Sequence, residues 1–354
     1  MNWNQVAKAS VAIMAVAACA SASAASNGVV ATVQAEKSVL GKNDNVTMKV
    51  TITNTSAQPQ LVLKWHTPFA EIEESLFEIT RDGVKVEYQG AHYKRQAPTA
   101  SDYYLLKPGA SHTMRIELSD MYDMSITGEY SISYNAKSLN LFGVNEKTVG
   151  ELKSQAVSVW IDGAKPRGSI SDPVAMAAPS NPSPAAGTLS FNKCTITQQQ
   201  TVTQAMSAAA TMANGADAYM AGSLGARYTK WFGATDTTRA GIVRANFAKI
   251  KDAFATKPVT VDCGCKKTYY AYVYPNQPYT IYVCKAFWSA PLTGTDSKGG
   301  TLVHEMSHFT AVAGTDDWVY GQSGAASLAI SDPAKAINNA DSHEYFSENT
   351  PNLN

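Results

Sequence analysis

The chain has 354 residues, long enough for two domains and a sizeable core. Its 29 basic and 29 acidic residues cancel, and 16% charged residues stand against 45% hydrophobic ones. That balance argues against a nucleic-acid or polybasic membrane binder, and past the N-terminus no apolar run is long enough to span a bilayer.

The N-terminus carries Lys8, an apolar core from Ala9 to Ala20, and the small-residue sequence Ala22-Ser23-Ala24. This is the pattern of a cleaved secretory signal peptide over residues 1–24, so the chain is expected to be secreted. Cleavage removes Cys19 and leaves Cys194, Cys263, Cys265 and Cys284, an even number that suggests two disulfides in an oxidising compartment. A single glycine separates Cys263 from Cys265, too few residues for a comfortable bridge between them.

Residues 25–165 read as β. Short alternating or β-branched runs such as "NVTMKVTITN", "SLFEIT", "HTMRIELS" and "GEYSISYNA" are punctuated by Asp82-Gly83 and Pro108-Gly109. Seven or eight strands at this spacing predict an all-β, immunoglobulin-like antiparallel sandwich. No catalytic cluster stands out there; His66, His92 and His112 are scattered and read as ordinary strand or loop residues. Residues 166–189 are rich in Pro, Ala and Ser without apolar periodicity, which predicts an exposed, cleavable linker.

From residue 190 to 354 the pattern becomes mainly helical, with a tyrosine-rich hairpin turning at Pro275 to Pro278. This predicts a second domain of α+β type, mostly α. Its helix over 299–313 carries His304 and His308 four residues apart, on one face, with Glu305 beside the first. H-E-x-x-H on a helix supplies two zinc ligands and a general base, and a chain of this composition would show it by chance roughly 0.004 times. A catalytic zinc needs a third protein ligand and an open position. Glu344 and Glu348 on a later helix are candidates; so are the aspartates of "GTDDWVYG", which follow a turn expected where Gly314 caps the helix.

His304, Glu305, His308, Gly314, Thr315, Asp317, Tyr320 and Gly321 together form HExxH followed by G-T-x-D-x-x-Y-G. In this the chain resembles the aspzincin metallopeptidases, the deuterolysin and peptidyl-Lys metalloendopeptidase group, over about 190–354. The resemblance implies a zincin-type metallopeptidase fold, one Zn2+ held by His304, His308 and Asp317, Glu305 as base and Tyr320 as a hydrogen-bond donor to the oxyanion. Asp316 is then a solvated neighbour. It further implies that Asp341 and Glu344 line a pocket for lysine, with cleavage on the lysine's N-terminal side, and that His343 between them points away. The implied disulfides are Cys194–Cys263 and Cys265–Cys284.

Partners are then protein or peptide substrates, with no nucleic acid and no membrane. The β region lies outside the resemblance and is expected to be a propeptide that inhibits the enzyme intramolecularly, a lysine of it or of the linker (Lys165 among them) filling the acidic pocket. The competing expectations are a broad-specificity deuterolysin-like protease and an exported binding protein whose metal is structural.

Overall fold

The computed structural model describes residues 26–146, 149–163 and 187–353. The expected signal peptide, Lys165 and most of the expected linker lie outside the described residues.

The N-terminal strands are β1 (Val29–Ala35), β2 (Val39–Leu40), β3 (Thr47–Asn54), β4 (Gln60–Leu63), β5 (Phe77–Arg81), β6 (Val84–Lys85) and β7 (His92–Lys94). They continue with β8 (Tyr103–Leu106), β9 (Ser111–Glu117), β10 (Gly128–Ser138), β11 (Gly150–Lys153) and β12 (Val157–Ile161). One sheet runs β1-β3-β9 and a second β2-β12-β10-β5-β6, with β11 also paired to β10 and a separate ribbon β4-β8. Alternation decides the burial: in β3, Met48, Val50 and Ile52 are buried while Lys49 is exposed. Both sheets bury their inner residues in one core, Val50 and Ile116 from the first with Ile132 and Val159 from the second. The pairing is antiparallel except between β2 and β12, which run parallel.

The C-terminal region follows as β13 (Leu189–Asn192), α1 (Ile196–Ala221), α2 (Ala226–Phe232), α3 (Thr237–Thr256), β14 (Val259–Asp262), β15 (Ala271–Val273) and β16 (Thr280–Val283). The helices α4 (Lys285–Ser289), α5 (Lys298–His308), α6 (Gln322–Ser331), α7 (Pro333–Ala336) and α8 (Ala340–Glu348) complete it. The mainly helical α+β expectation holds, and the tyrosine hairpin is β15–β16. This region has its own core. The disulfides join Cys194 to Cys263 and Cys265 to Cys284, the pairing that the resemblance implied. No helix among the described residues is long and apolar enough to cross a membrane.

The two regions are joined by more than a tether. The C-terminal sheet has the order β13-β14-β16-β15-β7, so its edge strand comes from the N-terminal region. β7 pairs antiparallel with β15, placing Lys94 opposite Ala271, Tyr93 opposite Tyr272 and His92 opposite Val273. At this seam Tyr93 packs on Tyr269 and Tyr272, and Tyr272 stacks on Tyr282 at 4.6 Å. The sequence itself gives no sign of a strand at 92–94. A three-residue strand carries too little alternation to register, and its partner lies far along the chain.

Candidate metal centre

Helix α5 begins at Ser297, whose hydroxyl oxygen accepts the Gly300 N–H at 2.9 Å, a side-chain N-cap. Every residue of the helix is buried, because α1, α3, α8 and the sheet pack around it. It ends at His308, short of the expected 299–313. Phe309 leaves helical geometry, and Gly314, at φ +59°, closes the following turn by donating its N–H to the Phe309 carbonyl. Gly314 therefore serves this later turn and is not the helix cap. The turn carries the chain back along α5, where the Thr315 N–H donates to the Ser307 carbonyl at 3.2 Å and Asp317 comes to face the histidines.

Three donor groups converge there. His304 Nε2 and His308 Nε2 are 3.1 Å apart; Asp317 Oδ1 is 3.3 Å from the first and Oδ2 3.3 Å from the second. A tetrahedral zinc with bonds of about 2.0–2.1 Å needs donors about 3.3 Å apart. Nδ1 of His308 donates to the Thr315 carbonyl at 2.7 Å, which leaves Nε2 its lone pair for a metal. Nδ1 of His304 faces Asp341 Oδ1 at 2.9 Å and Glu344 Oε2 at 3.3 Å, so carboxylates stand behind this imidazole as they do behind histidines that bind metals. Neither Asp317 oxygen has a hydrogen-bond donor in good geometry. Burial disfavours charge on both imidazoles, yet the carboxylates around them together outweigh it and raise both, Asp317 foremost, with Asp341 and Glu344 beside His304 and Glu305 beside His308. The cluster thus attracts positive charge, and a zinc ion fits its donor set.

Glu305 is fully buried, and its carboxyl is pushed up to about 7 by that burial, against the pull of His304 and His308. Asp316 is exposed and accepts a hydrogen bond from Asn338 at 2.9 Å, outside the donor cluster. Asn339, just before α8, accepts the Trp318 and Val319 N–H groups through Oδ1 and so holds the loop that carries Asp317. Gly321 has φ +84°, and its N–H donates to Asp341 Oδ2 at 2.6 Å. That conformation explains a glycine here.

Asp341 and Glu344 project from α8 into one buried pocket, and the pocket is filled. The Lys94 ammonium, fully buried, lies 2.9 Å from Asp341 Oδ1, 2.7 Å from Glu344 Oε2 and 3.3 Å from Asp296 Oδ1. It also sits over the rings of Tyr270 and Tyr345, and the Tyr345 hydroxyl donates to Asp296 at 2.6 Å. Burial opposes the Lys94 charge, but the carboxylates outweigh it and keep the ammonium well above its usual range. His343 lies in the core, with Nδ1 2.9 Å from the Asn339 carbonyl and Nε2 3.1 Å from Asn246 Nδ2.

Further residues of the N-terminal region reach the site. The Tyr320 hydroxyl donates to Glu74 Oε1 at 3.1 Å, and Arg95 bridges Glu74 and Glu73 while stacking on Tyr269 at 4.2 Å. His92, read from the sequence as an ordinary strand residue, has its ring 4.8 Å from that of His308. His66, read the same way, is buried in the wall of a cavity of about 520 Å³ that His92, His308 and Asp317 also line. The sequence carries no local signal for Glu74, His92, Lys94 or Asp296; only contact between distant segments gives them a place at the site.

The chain is similar to several known proteins. The family described as lysine-specific metallo-endopeptidase matches residues 217–348. An extracellular protease of Aeromonas hydrophila is 48% identical over 89% of this chain and 91% of its own length. A peptidyl-Lys metalloendopeptidase of Armillaria mellea is 36% identical over 87% of this chain and 88% of its own. The solved zinc peptidase from Grifola frondosa is 44% identical, covering 46% of this chain and all of its own, with a TM-score of 0.44. The chain belongs to the aspzincin family of metalloendopeptidases and is a peptide hydrolase.

Proposed function

We propose that the chain is the secreted proenzyme of a zinc endopeptidase that cuts on the N-terminal side of lysine. In this reading residues 1–24 are the signal peptide, 25–165 an immunoglobulin-like inhibitory propeptide, 166–189 the linker with the processing site and 190–354 the catalytic domain. The observation that carries it is the Lys94 ammonium held by Asp341 and Glu344. A pocket that surrounds a buried ammonium with carboxylates is chemically matched to a substrate lysine, and here a lysine of the same chain occupies it.

His304, His308 and Asp317 would hold one zinc, which supplies a Lewis acid and a water whose pKa falls to about 7. Glu305, buried and with its carboxyl pushed up to about 7, takes a proton from the attacking water and returns it to the leaving amine. Tyr320 donates to the carbonyl oxygen as negative charge develops there. In the uncut chain the Tyr320 hydroxyl is held by Glu74, and Lys94 fills the pocket, so departure of the N-terminal region frees both.

The test compares two forms of the full chain, one with its linker made resistant to proteolysis and one cut in the linker, on a lysyl peptide. Activity only after cutting supports the proposal. Equal activity of both forms would make the N-terminal region a permanent accessory domain.

A further inference from the structure

The strand that carries Lys94 carries a second residue at the site. His92 lies two positions earlier, paired with Val273, and its ring is tilted against that of His308 at 4.8 Å. A His92 ring nitrogen, a His308 ring nitrogen and an Asp317 carboxylate oxygen all lie within 4.8 Å of one another. Tyr88 packs on the ring from elsewhere, at 5.8 Å. His304, His308 and Asp317 supply three corners of a tetrahedron. A zinc site with three protein ligands keeps a fourth position open for water, whereas one with four protein ligands is closed and structural.

We propose that in the uncut chain His92 is the fourth ligand of the metal, so that the proenzyme holds a closed His3Asp site and the cut enzyme an open one. This rests on the proenzyme reading above and deepens it. The same short strand then blocks the site twice, with Lys94 in the acidic pocket and His92 on the metal. The pairing also accounts for the survival of the strand itself. Lys94 fills the acidic pocket as a substrate lysine would, so the bond on its N-terminal side, Tyr93–Lys94, is the one that a lysine-directed cut would take. A histidine in the position needed by the attacking water leaves that bond without a nucleophile. The ligand is lost when the N-terminal region leaves, so a single cut in the linker converts a structural metal site into a catalytic one.

The test uses the full chain with Glu305→Gln, which prevents self-cutting, loaded with cobalt for proton NMR and with zinc for metal release. The paramagnetically shifted imidazole protons should count three ligating histidines in this parent and two after His92→Phe. Zinc transfer to a chromophoric chelator should speed up at least about tenfold in both His92→Ala and His92→Phe, as expected for lost support of a metal site. Two imidazoles in the parent, or unchanged release in both variants, would overturn the proposal. So would fast release from His92→Ala alone, because phenylalanine keeps the bulk and lacks the nitrogen; the ring would then only shield the metal. If the variants fail to fold, the imidazole count of the parent decides. The peptide assay on the linker-protected chain with Glu305 intact tests the proenzyme reading separately, since neither readout here depends on turnover.

Discussion

Two buried polar clusters meet at His304, and they differ in where their cation comes from. Behind Nδ1, Asp341, Glu344 and Asp296 surround Lys94, so the chain supplies the positive charge itself. In front of Nε2, His308 and Asp317 converge with it, and the Asp317 oxygens find no donor in good geometry. Buried carboxylates need a partner charge, because leaving one uncompensated costs several kcal/mol. The filled cluster is thus balanced by the chain's own lysine, whereas the other leaves a carboxylate that a cation would balance.

The largest expected effect breaks the metal side. Glu305→Gln should keep the fold and zinc but lower kcat/KM of the linker-cut protein by about a hundredfold to ten-thousandfold, the range for loss of a general base. Metal analysis beside the peptide assay checks both halves. Asp317→Ala should lose zinc and activity together, whereas Asp316→Ala should keep both, because Asp316 is exposed and bonded to Asn338.

On the pocket side, Lys94→Ala leaves three carboxylates around an empty space. The full chain should lose about 3–5 kcal/mol, the cost of removing one partner of a buried ion pair, read as a lowered denaturant midpoint. Unchanged stability would mean that the pocket does not depend on its lysine.

The two clusters can also be told apart within α8. Asp341 touches both Lys94 and His304 Nδ1, so Asp341→Asn should weaken cleavage before lysine and also lower zinc affinity about 10–100-fold. Glu344 lies closer to Lys94, at 2.7 Å, than to His304, at 3.3 Å. Glu344→Gln should therefore change mainly the lysine preference, with a smaller change in zinc affinity. Equal zinc losses in the two variants would show that the clusters act as one unit.

The legibility of these features follows their range along the chain. HExxH lies within one helical turn, and its residues could be assigned from spacing alone. Asp317, Asp341 and Glu344 needed the family resemblance, because their approach depends on the turn after His308 and on Asn339. Gly314 was misread because a glycine after an apolar helix looks like a cap, while α5 stops at His308 to let the chain turn back. Lys94, His92 and Glu74 were silent: each is one polar residue in a β region, and each acquires meaning only against residues some 200 positions later.

A smaller effect concerns pH. His343 is pushed down from 6.5 to about 4 by burial, between Phe232 and Phe247. The folded chain keeps this ring neutral where the unfolded chain protonates it, so stability should fall as pH drops from about 6.5 to 4 and level off below. The group contributes on the order of 3 kcal/mol across that window. His343→Gln should flatten this part of the stability–pH curve, measured by denaturant titration; an unchanged slope would show that other groups set it.

The most direct test of lysine recognition by the Asp341–Glu344 pocket is a mass-spectrometric map of the products that the linker-cut enzyme releases from a denatured protein. The new N-termini should begin with lysine, and arginine, wide and planar, should be a poor substitute in a pocket shaped for an ammonium. New N-termini spread over many residue types, with no excess of lysine, would contradict it.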